Sequence, residues 1–263
     1  MISNNRVRVL ARQDGVTAGL AEKNYVNSWI LYAIYDSELA KDFVFKGGTA
    51  LSKLYFPEIW RFSEDLDFTA SDPGDLQSKQ ASALSSVEAI SGIRFEISNY
   101  HVAGDPVEYV QVDVQYDAVL GQRNTTKLDI SFDEKLAFDS ETHEHSFEDV
   151  PTFSLEAYCV EEVLVEKLRS IYQRARARDY YDIYRLLNQE EFVDTEIVAA
   201  LRRKAEQQGV ELDLVNGVPE EDIDSVRAYW NQALDRLVTE KPHFNDVIRR
   251  IDAYLRALSE TES

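Results

Sequence analysis

The stretch FSEDLDFTA, residues 62–70, alternates apolar and acidic side chains in the manner of a β-strand. Side chains two positions apart on a strand point to the same face, so Asp65 and Asp67 are predicted to project together while Leu66 and Phe68 face a core. Two adjacent carboxylates repel each other unless a cation or several hydrogen-bond donors lie between them. The stretch therefore predicts a strand with a cation-binding polar face.

The segment before this strand predicts a turn that can bind phosphate. The apolar run FVF, residues 43–45, is typical of a buried strand, and it leads into KGGTALSKLYF, residues 46–56. Gly47 and Gly48 predict a strand-to-helix turn, with Thr49 as the expected N-cap. Glycine lets the main chain approach a ligand closely, and a helix N-terminus favours an anion. Phosphate groups beside carboxylates that suit magnesium are what phosphoryl or nucleotidyl transfer requires.

The remaining pattern predicts an α+β fold in two lobes. A helix is expected over 20–40 and another ending near residue 90, followed by strands in IRFEISNYHVA, EYVQVDVQYDAV and TTKLDISFDE. From residue 154 onward the pattern is helical, with helices expected over 155–173, 178–189, 194–207, 220–238 and 243–258. We therefore predict an α/β lobe over 1–153 and an all-helical lobe over 154–263. The HEH sequence at 143–145 is expected in an exposed loop.

Two aspartates on the later strands are candidates for a third carboxylate of the site. Asp129 lies between Leu128 and Ile130, as expected for a strand beside the one that carries Asp67. Asp113 in VQVDV occupies an equivalent position on the preceding strand and is the competing candidate. Either side chain could also simply face solvent.

A basic cluster lies in the helical part of the chain. Lys167 follows Val163 and Leu164 at helical spacing, so its stem borders a buried stripe, although a solvated lysine fits the same spacing. The RARARD sequence, residues 174–179, concentrates arginines just before Asp179 and Asp182, which share one helix face. Helix capping and salt bridging would explain these arginines. The functional hypothesis is that Lys167 binds nucleotide phosphates while Asp182 or Asp179 anchors it.

Composition narrows the possible partners and the compartment. The formal net charge is −20, from 28 basic and 48 acidic residues, which argues against a broad nucleic-acid surface and leaves only a local basic patch. No apolar run approaches the ~20 residues that cross a bilayer, so a cytoplasmic protein without a membrane partner is expected. The single cysteine, Cys159, is expected to be a small buried hydrophobe. An acid-rich, lysine-poor surface suits high-salt cytoplasm and predicts a halophilic source.

The order of these motifs resembles that of a known enzyme family. KGGTALSKLY followed by RFSEDLDF is similar to the signature of nucleotidyltransferase toxins of the AbiEii and MenT type, in the polymerase-beta-like nucleotidyltransferase superfamily. The segment VEEVLVEKLRSIYQRARARDYYDIYRLL, residues 160–187, is similar to that family's lysine-bearing helix and the R-x-R-D-x-x-D motif after it. The resemblance covers roughly residues 43 to 187.

The resemblance implies a nucleotidyltransferase-like mixed sheet with flanking helices and an all-helical C-terminal lobe. It implies catalytic roles for Asp65, Asp67, Lys167 and Asp182, and magnesium or manganese bound by Asp65, Asp67 and Asp129. NTP would contact Gly47, Gly48, Thr49, Ser63 and Lys167. Ser63 alternatively carries an autoinhibitory nucleotide or only hydrogen-bonds the turn.

The implied activity is transfer of an NMP unit from an NTP to a hydroxyl, with the 3' end of tRNA as the expected acceptor. The expected acceptor-binding residues are Arg174, Arg176 and Arg178, joined by Arg169, Arg202 and Arg203. A separately encoded antitoxin is the expected protein partner. Two alternatives stay open: a catalytically silent binding module of the same fold, and an enzyme that nucleotidylates a protein or a small molecule.

Overall fold

A computed structural model describes residues 1–57, 61–238 and 240–261 of the chain, which form an α+β fold. The strands are β1 (Phe43–Lys46), β2 (Leu66–Ala70), β3 (Arg94–Ala103), β4 (Tyr109–Asp117), β5 (Asn124–Ser131), β6 (Ser140–Phe147) and β7 (Val150–Tyr158). The α-helices are α1 (Asn4–Gln13), α2 (Ala18–Tyr35), α3 (Gly47–Ala50), α4 (Leu76–Ser91), α5 (Val160–Ser170), α6 (Ala177–Gln189), α7 (Asp194–Gln207), α8 (Glu220–Leu234) and α9 (Phe244–Thr261). A 3-10 helix covers Glu38–Lys41, and a π-helical turn, Leu51–Tyr55, continues α3.

The chain divides into two compact units. We call residues 1–134 with 140–157 the sheet unit, and residues 135–139 with 158–263 the helical unit. The chain therefore enters the helical unit briefly between β5 and β6 before it completes the sheet. The functional division into lobes 1–153 and 154–263 stays a prediction.

The sheet unit is built on a mixed seven-stranded sheet with the order β3-β4-β5-β2-β1-β7-β6. β1 pairs antiparallel with β2 and parallel with β7, and β2 pairs parallel with β5. β4 lies antiparallel between β3 and β5. The strand that carries Asp67 is thus central, with neighbours on both sides.

One face of the central strands is the core of the sheet unit. Phe45, Phe68, Ile130 and Val110 lie in one register row across β1, β2, β5 and β4, and all four are buried. The core also takes in the inward sides of α2 and α4, and α2 packs against α4. Because side chains alternate along a strand, the residues next to this row face away from the core.

The helical unit is a bundle of α5 to α9. In it α5 packs against α6 and α7, and α9 packs against the same two helices, while α8 packs on α6. The inward side of α5 contains Val163, Leu164 and Leu168, all buried, as their helical spacing predicts. All five helices expected from the pattern are present: the one expected over 194–207 has the bounds of α7, and at least one end of each of the other four is shifted.

Two sequence expectations about β6 and β7 are wrong. Residues 154–158 were expected to begin a helix, but they belong to β7, and the helix begins only at Val160. His143 and His145 lie on β6 and not in an exposed loop. His145 is buried, and its Nε2 atom lies 3.2 Å from Ser28 Oγ. Burial and the nearby Lys53 charge lower the pKa of His145 to about 3, which keeps the imidazole neutral.

Cys159 is buried just before α5, and burial raises the pKa of its thiol to about 12, so it is an unreactive packing residue. Among the described residues, no helix is both long enough and apolar enough to cross a membrane.

Candidate active site

The polar face of the central strands carries a row of charged side chains. Lys46 of β1 is in register with Asp67 of β2, Asp67 with Asp129 of β5, and Asp129 with Gln111 of β4. Residues in register on neighbouring strands point to the same face. The row therefore puts the carboxylates of Asp67 and Asp129 side by side, and Lys46 lies on the other side of Asp67.

The register distinguishes the two candidates for the third carboxylate. Asp129 lies directly across from Asp67, in the parallel pairing of β2 with β5. Asp113 is in register with Lys127 instead, two positions further along the strands, and its Oδ2 accepts a hydrogen bond of 3.2 Å from Asn99 Nδ2. The geometry thus favours Asp129 as the partner of Asp67.

Tyr109, which the sequence argument did not select, adds a hydroxyl to this face. Its phenol donates a hydrogen bond to Asp129 Oδ1. Burial raises the pKa of Tyr109 above its usual value, and the negative charges of Asp129, Asp67 and Asp65 raise it further. All three carboxylates are therefore close enough to influence one hydroxyl group, and that hydroxyl stays protonated as a donor to Asp129.

The first glycine of the turn makes room for Asp67. Gly47 has a φ of +78°, a left-handed conformation that side chains with a Cβ seldom adopt. A Cβ at this position would lie 2.4 Å from Asp67 Oδ2. Glycine at 47 therefore serves both the turn and the close approach of the carboxylate to it.

The expectation that Thr49 caps the helix is wrong. α3 begins at Gly47 with Lys46 as its N-cap, and no side chain makes the capping bond. Thr49 is buried inside the helix, and its hydroxyl donates to the backbone carbonyl of Asp65. Its side chain therefore holds the acidic segment in place, and only its main chain remains available for a nucleotide.

The residues just before β2 are held by side chains and not by strand pairing. β2 begins at Leu66, so Ser63 and Asp65 lie outside it, and the expected alternation of a strand does not extend to them. The carbonyl of Glu64 accepts a hydrogen bond of 3.0 Å from Asn27 Nδ2 and lies 3.1 Å from Thr126 Oγ1. Together with the hydrogen bond from Thr49, these contacts fix the backbone carbonyls of Glu64 and Asp65. Ser63 itself is half-buried.

Lys46 belongs to a buried polar cluster on the same face. Its ammonium forms an ion pair with Glu134 and donates a hydrogen bond of 3.3 Å to Ser131 Oγ. Thr69 Oγ1 lies 3.2 Å from Glu134 Oε2. A cation therefore does lie beside Asp67, as repulsion between neighbouring carboxylates requires, but this cation is supplied by the chain itself.

The second glycine of the turn is packed against Arg61, a residue that the sequence argument also missed. A Cβ at Gly48 would lie 2.4 Å from Arg61 Nη2, 3.0 Å from Cζ and 3.3 Å from Nη1. Arg61 is buried, and its Nη1 donates a hydrogen bond of 3.3 Å to the carbonyl of Phe62. The turn thus has a carboxylate against one glycine and a guanidinium against the next.

In the helical unit, Lys167 is held between two aspartates of α6. Its Nζ lies 2.6 Å from Asp179 Oδ1 and 3.1 Å from Asp182 Oδ2, and Arg174 Nε lies 3.0 Å from Asp179 Oδ2. Burial opposes the charge of Asp179, yet Lys167 and Arg174 together lower the pKa of its carboxyl to about 2. Both aspartates therefore contact the lysine, and both hold it in place.

The arginines expected to bind the acceptor are in different environments. Arg174 and Arg176 are exposed, and Arg178 is half-buried at the start of α6. Arg169 is buried and donates to Gln173 Oε1, so it is a poor candidate for an acceptor contact. The exposed positive charge of this segment is concentrated at residues 174 and 176.

The oxygen donors of the sheet unit suit a hard divalent cation. In the described residues, however, no three His, Cys, Asp or Glu side chains are gathered into a ready metal-binding group. Magnesium is commonly held by one or two carboxylates and completes its coordination with water and substrate phosphates. The pair Asp67 and Asp129 fits this mode, which requires no complete protein cage.

The fold is that of solved nucleotidyltransferase structures. MenT4, a nucleotidyltransferase toxin from Mycobacterium tuberculosis H37Rv, shares the fold with a TM-score of 0.69 at 19% identity, over 99% of this chain and 90% of that one. JHP933 from Helicobacter pylori has a TM-score of 0.57 at 17% identity, with 94% of each chain covered. A putative nucleotidyltransferase from H. pylori has a TM-score of 0.58 at 17% identity, over 94% and 97%.

The family follows from the sequence model that matches the chain. The model of the nucleotidyl transferase AbiEii toxin of type IV toxin–antitoxin systems matches residues 29–257, so the chain belongs to that family. No individual curated protein matches the chain. The resemblance stated from the motifs and the α+β fold class are thereby confirmed.

Proposed function

We propose that this toxin-family nucleotidyltransferase moves an NMP unit from an NTP to an acceptor hydroxyl in a metal-dependent reaction that releases pyrophosphate. The observation that carries the proposal is the pairing of Asp67 with Asp129 on parallel strands, beside a turn in which Gly47 leaves space for the Asp67 carboxylate. Paired carboxylates next to a glycine turn offer both ligands for a cation and a close approach for phosphate.

Asp65, Asp67 and Asp129 are the residues proposed to hold magnesium or manganese. When bound, the metal neutralises charge that develops on the α-phosphate and orients it for attack. Tyr109 fixes the orientation of Asp129 through its hydrogen bond. We propose that the other oxygen of Asp129, Oδ2, accepts the proton of the acceptor hydroxyl, since Oδ1 already receives the Tyr109 hydrogen bond.

The nucleotide phosphates are proposed to contact the main chain of Gly47, Gly48 and Thr49, the hydroxyl of Ser63, and the ammonium of Lys167. The contacts of Lys167 with Asp179 and Asp182 support this role indirectly, because they hold a charged lysine in one position. Asp182 acts through that lysine. A nucleotide attached to Ser63 would block the turn and inhibit the enzyme.

We further propose tRNA as the acceptor, with Arg174, Arg176 and Arg178 as its phosphate contacts. A chain with net charge −20 repels nucleic acid over most of its surface, so an exposed cluster of arginines is where a phosphate backbone can approach. The proposed partner is a separately encoded antitoxin, and the proposed compartment is a high-salt cytoplasm. At high salt such phosphate contacts weaken, so recognition of the shape of the tRNA end carries more of the specificity.

The test is incubation of the purified protein with each α-labelled NTP in turn, with magnesium, manganese or EDTA, and with total tRNA, a cell-protein extract or a small-molecule extract. We expect metal-dependent label on tRNA that is lost when the tRNA 3' hydroxyl has been removed by periodate oxidation. Label on protein or small molecules instead would contradict the tRNA acceptor. An absence of label in every mixture would favour the silent module.

A further inference from the structure

Arg61 is a buried cation at the glycine turn, and it is not among the residues assigned to the metal, the nucleotide or the acceptor. The side chain is only 3% exposed, and a guanidinium cannot lose its proton to escape the cost of burial. Its Nη1 donates a hydrogen bond to the carbonyl of Phe62, so the guanidinium already has a dipole beside it. It also packs on Gly48, the neighbour of the glycine that Asp67 contacts, and this puts a permanent positive charge at the turn.

The contact between Arg61 and Gly48 requires a residue without a side chain. Gly48, unlike Gly47, does not have the left-handed backbone conformation, so its φ alone would allow alanine. An alanine would displace the guanidinium, because its Cβ would lie 2.4 Å from Arg61 Nη2 and within 3.3 Å of two more guanidinium atoms. Glycine at 48 therefore admits the guanidinium against the turn.

The two adjacent glycines contact side chains of opposite charge. Gly47 is packed against the carboxylate of Asp67, and Gly48 against the guanidinium of Arg61. In nucleotidyl transfer the carboxylates serve the metal at the α-phosphate, and negative charge then accumulates on the departing pyrophosphate. A guanidinium is well shaped to bind phosphate oxygens in pairs, and it retains its charge throughout.

We propose that Arg61 binds the β- and γ-phosphates of the NTP and stabilises the pyrophosphate leaving group, and that Gly48 lacks a side chain in order to admit it. This inference rests on the proposed function. It assigns the sheet unit its own cation for the phosphates, at the glycine next to the one that Asp67 contacts. It also gives the second glycine a role different from that of the first.

The first test measures binding, so that it needs neither an acceptor nor turnover. Calorimetry in magnesium would compare inorganic tripolyphosphate, an α,β-methylene NTP analogue and the matching NMP. Arg61→Gln is expected to weaken binding of the first two at least about tenfold and to leave NMP binding unchanged, because NMP lacks the β- and γ-phosphates. The control is Arg123→Gln, which removes an exposed arginine of the same unit and should change nothing.

The outcomes separate this inference from the proposed function. Equal weakening of NMP and tripolyphosphate, or no weakening of either, would overturn the role of Arg61 even if the wild-type protein transfers label to tRNA. If Arg61→Gln does not fold, Arg61→Lys decides, since it keeps the charge but loses the planar fork. It should weaken tripolyphosphate binding at least about threefold, and unchanged binding would overturn the proposal.

A double-mutant cycle tests the role of Gly48. Gly48→Ala should weaken tripolyphosphate binding in the wild-type background, because the new methyl group displaces the guanidinium. In the Arg61→Ala background the same substitution should have little further effect, because the group it displaces is absent. Equal weakening in both backgrounds would show that Gly48 is small for the approach of the phosphate itself, which would overturn this part of the inference.

Discussion

Replacement of Asp179 by asparagine should destabilise the protein in a pH-dependent manner. The carboxylate is buried and lies between Lys167 and Arg174, at 2.6 Å and 3.0 Å. These cations lower the pKa of Asp179 from 3.8 to about 2 despite its burial. Each pKa unit corresponds to about 1.4 kcal/mol, so the lowered pKa contributes about 2 kcal/mol to the free energy of unfolding at pH 7.

The sign of the pH dependence follows from the direction of this shift. A carboxyl group whose pKa is lower in the folded state contributes its full stabilisation above the unfolded value of 3.8 and loses it as pH falls through about 2. The difference between wild type and Asp179→Asn should thus be constant from pH 7 to pH 5. It should fall to roughly half, about 1 kcal/mol, near pH 3.

Urea unfolding followed by tryptophan fluorescence and circular dichroism measures this difference, with buried Trp230 as the reporter in the helical unit. Asp224→Asn, which alters an exposed carboxylate of α8, is the matched control and should unfold like wild type. The reasoning would be refuted if Asp179→Asn were as stable as wild type at pH 7, or if the loss were the same at pH 7 and pH 3.

Three further substitutions address the site. Thr49→Val should lower the rate of label transfer more than Thr49→Ser does, because only serine keeps a donor to the Asp65 carbonyl. Equal rates for the two variants would show that the Thr49 hydroxyl does not position the Asp65 segment. Lys167→Ala should lower kcat/KM for NTP at least about tenfold, since a charged phosphate contact is worth ~1.5 to 3 kcal/mol, and an unchanged value would exclude that contact. Changing Arg174 and Arg176 to Glu should raise KM for tRNA and leave KM for NTP nearly unchanged. Because Arg174 also forms an ion pair with Asp179, the single variant Arg176→Glu is the control for an effect on that ion pair. An equal rise of KM for both substrates would contradict an acceptor role.

Local patterns predict the central strands well because one face of each is buried. β4 shows this most clearly: Val110, Val112 and Val114 are buried, while the intervening residues face the polar side. The same alternation places Asp67 and Asp129 opposite the core, so their proximity needs only the additional assumption that β2 and β5 are neighbours. Helical spacing likewise predicts the buried side of α5.

Local patterns fail where tertiary contacts override them. Residues 154–158 have the composition of a helix, but they complete β7. The polar sequence of β6 shows little of the alternation of a strand, yet it forms a strand at one edge of the described sheet. The α1 helix was not predicted, because only Val7, Leu10 and Ala11 of its ten residues are buried.

The missed site residues depend on contacts between distant parts of the chain. Gly48 and Arg61 are 13 positions apart in the sequence, and nothing in either position indicates that the guanidinium packs against the glycine. Tyr109 and Asp129 meet only because β4 and β5 are neighbours in the sheet. The hydrogen bond of Thr49 to Asp65 likewise replaces the N-cap that its position in the sequence suggests.

The central claim is that Asp67 and Asp129 act together in metal-dependent nucleotidyl transfer. The most direct measurement is the rate of label transfer from α-labelled NTP in magnesium for Asp67→Asn and Asp129→Asn, beside the control Asp113→Asn from the next row of the same sheet face. The account predicts that the first two variants lose transfer while they stay folded, and that Asp113→Asn keeps nearly the wild-type rate. Near-normal transfer by either Asp67→Asn or Asp129→Asn would contradict it, and loss of transfer in Asp113→Asn together with activity in Asp129→Asn would assign the third carboxylate to Asp113 instead.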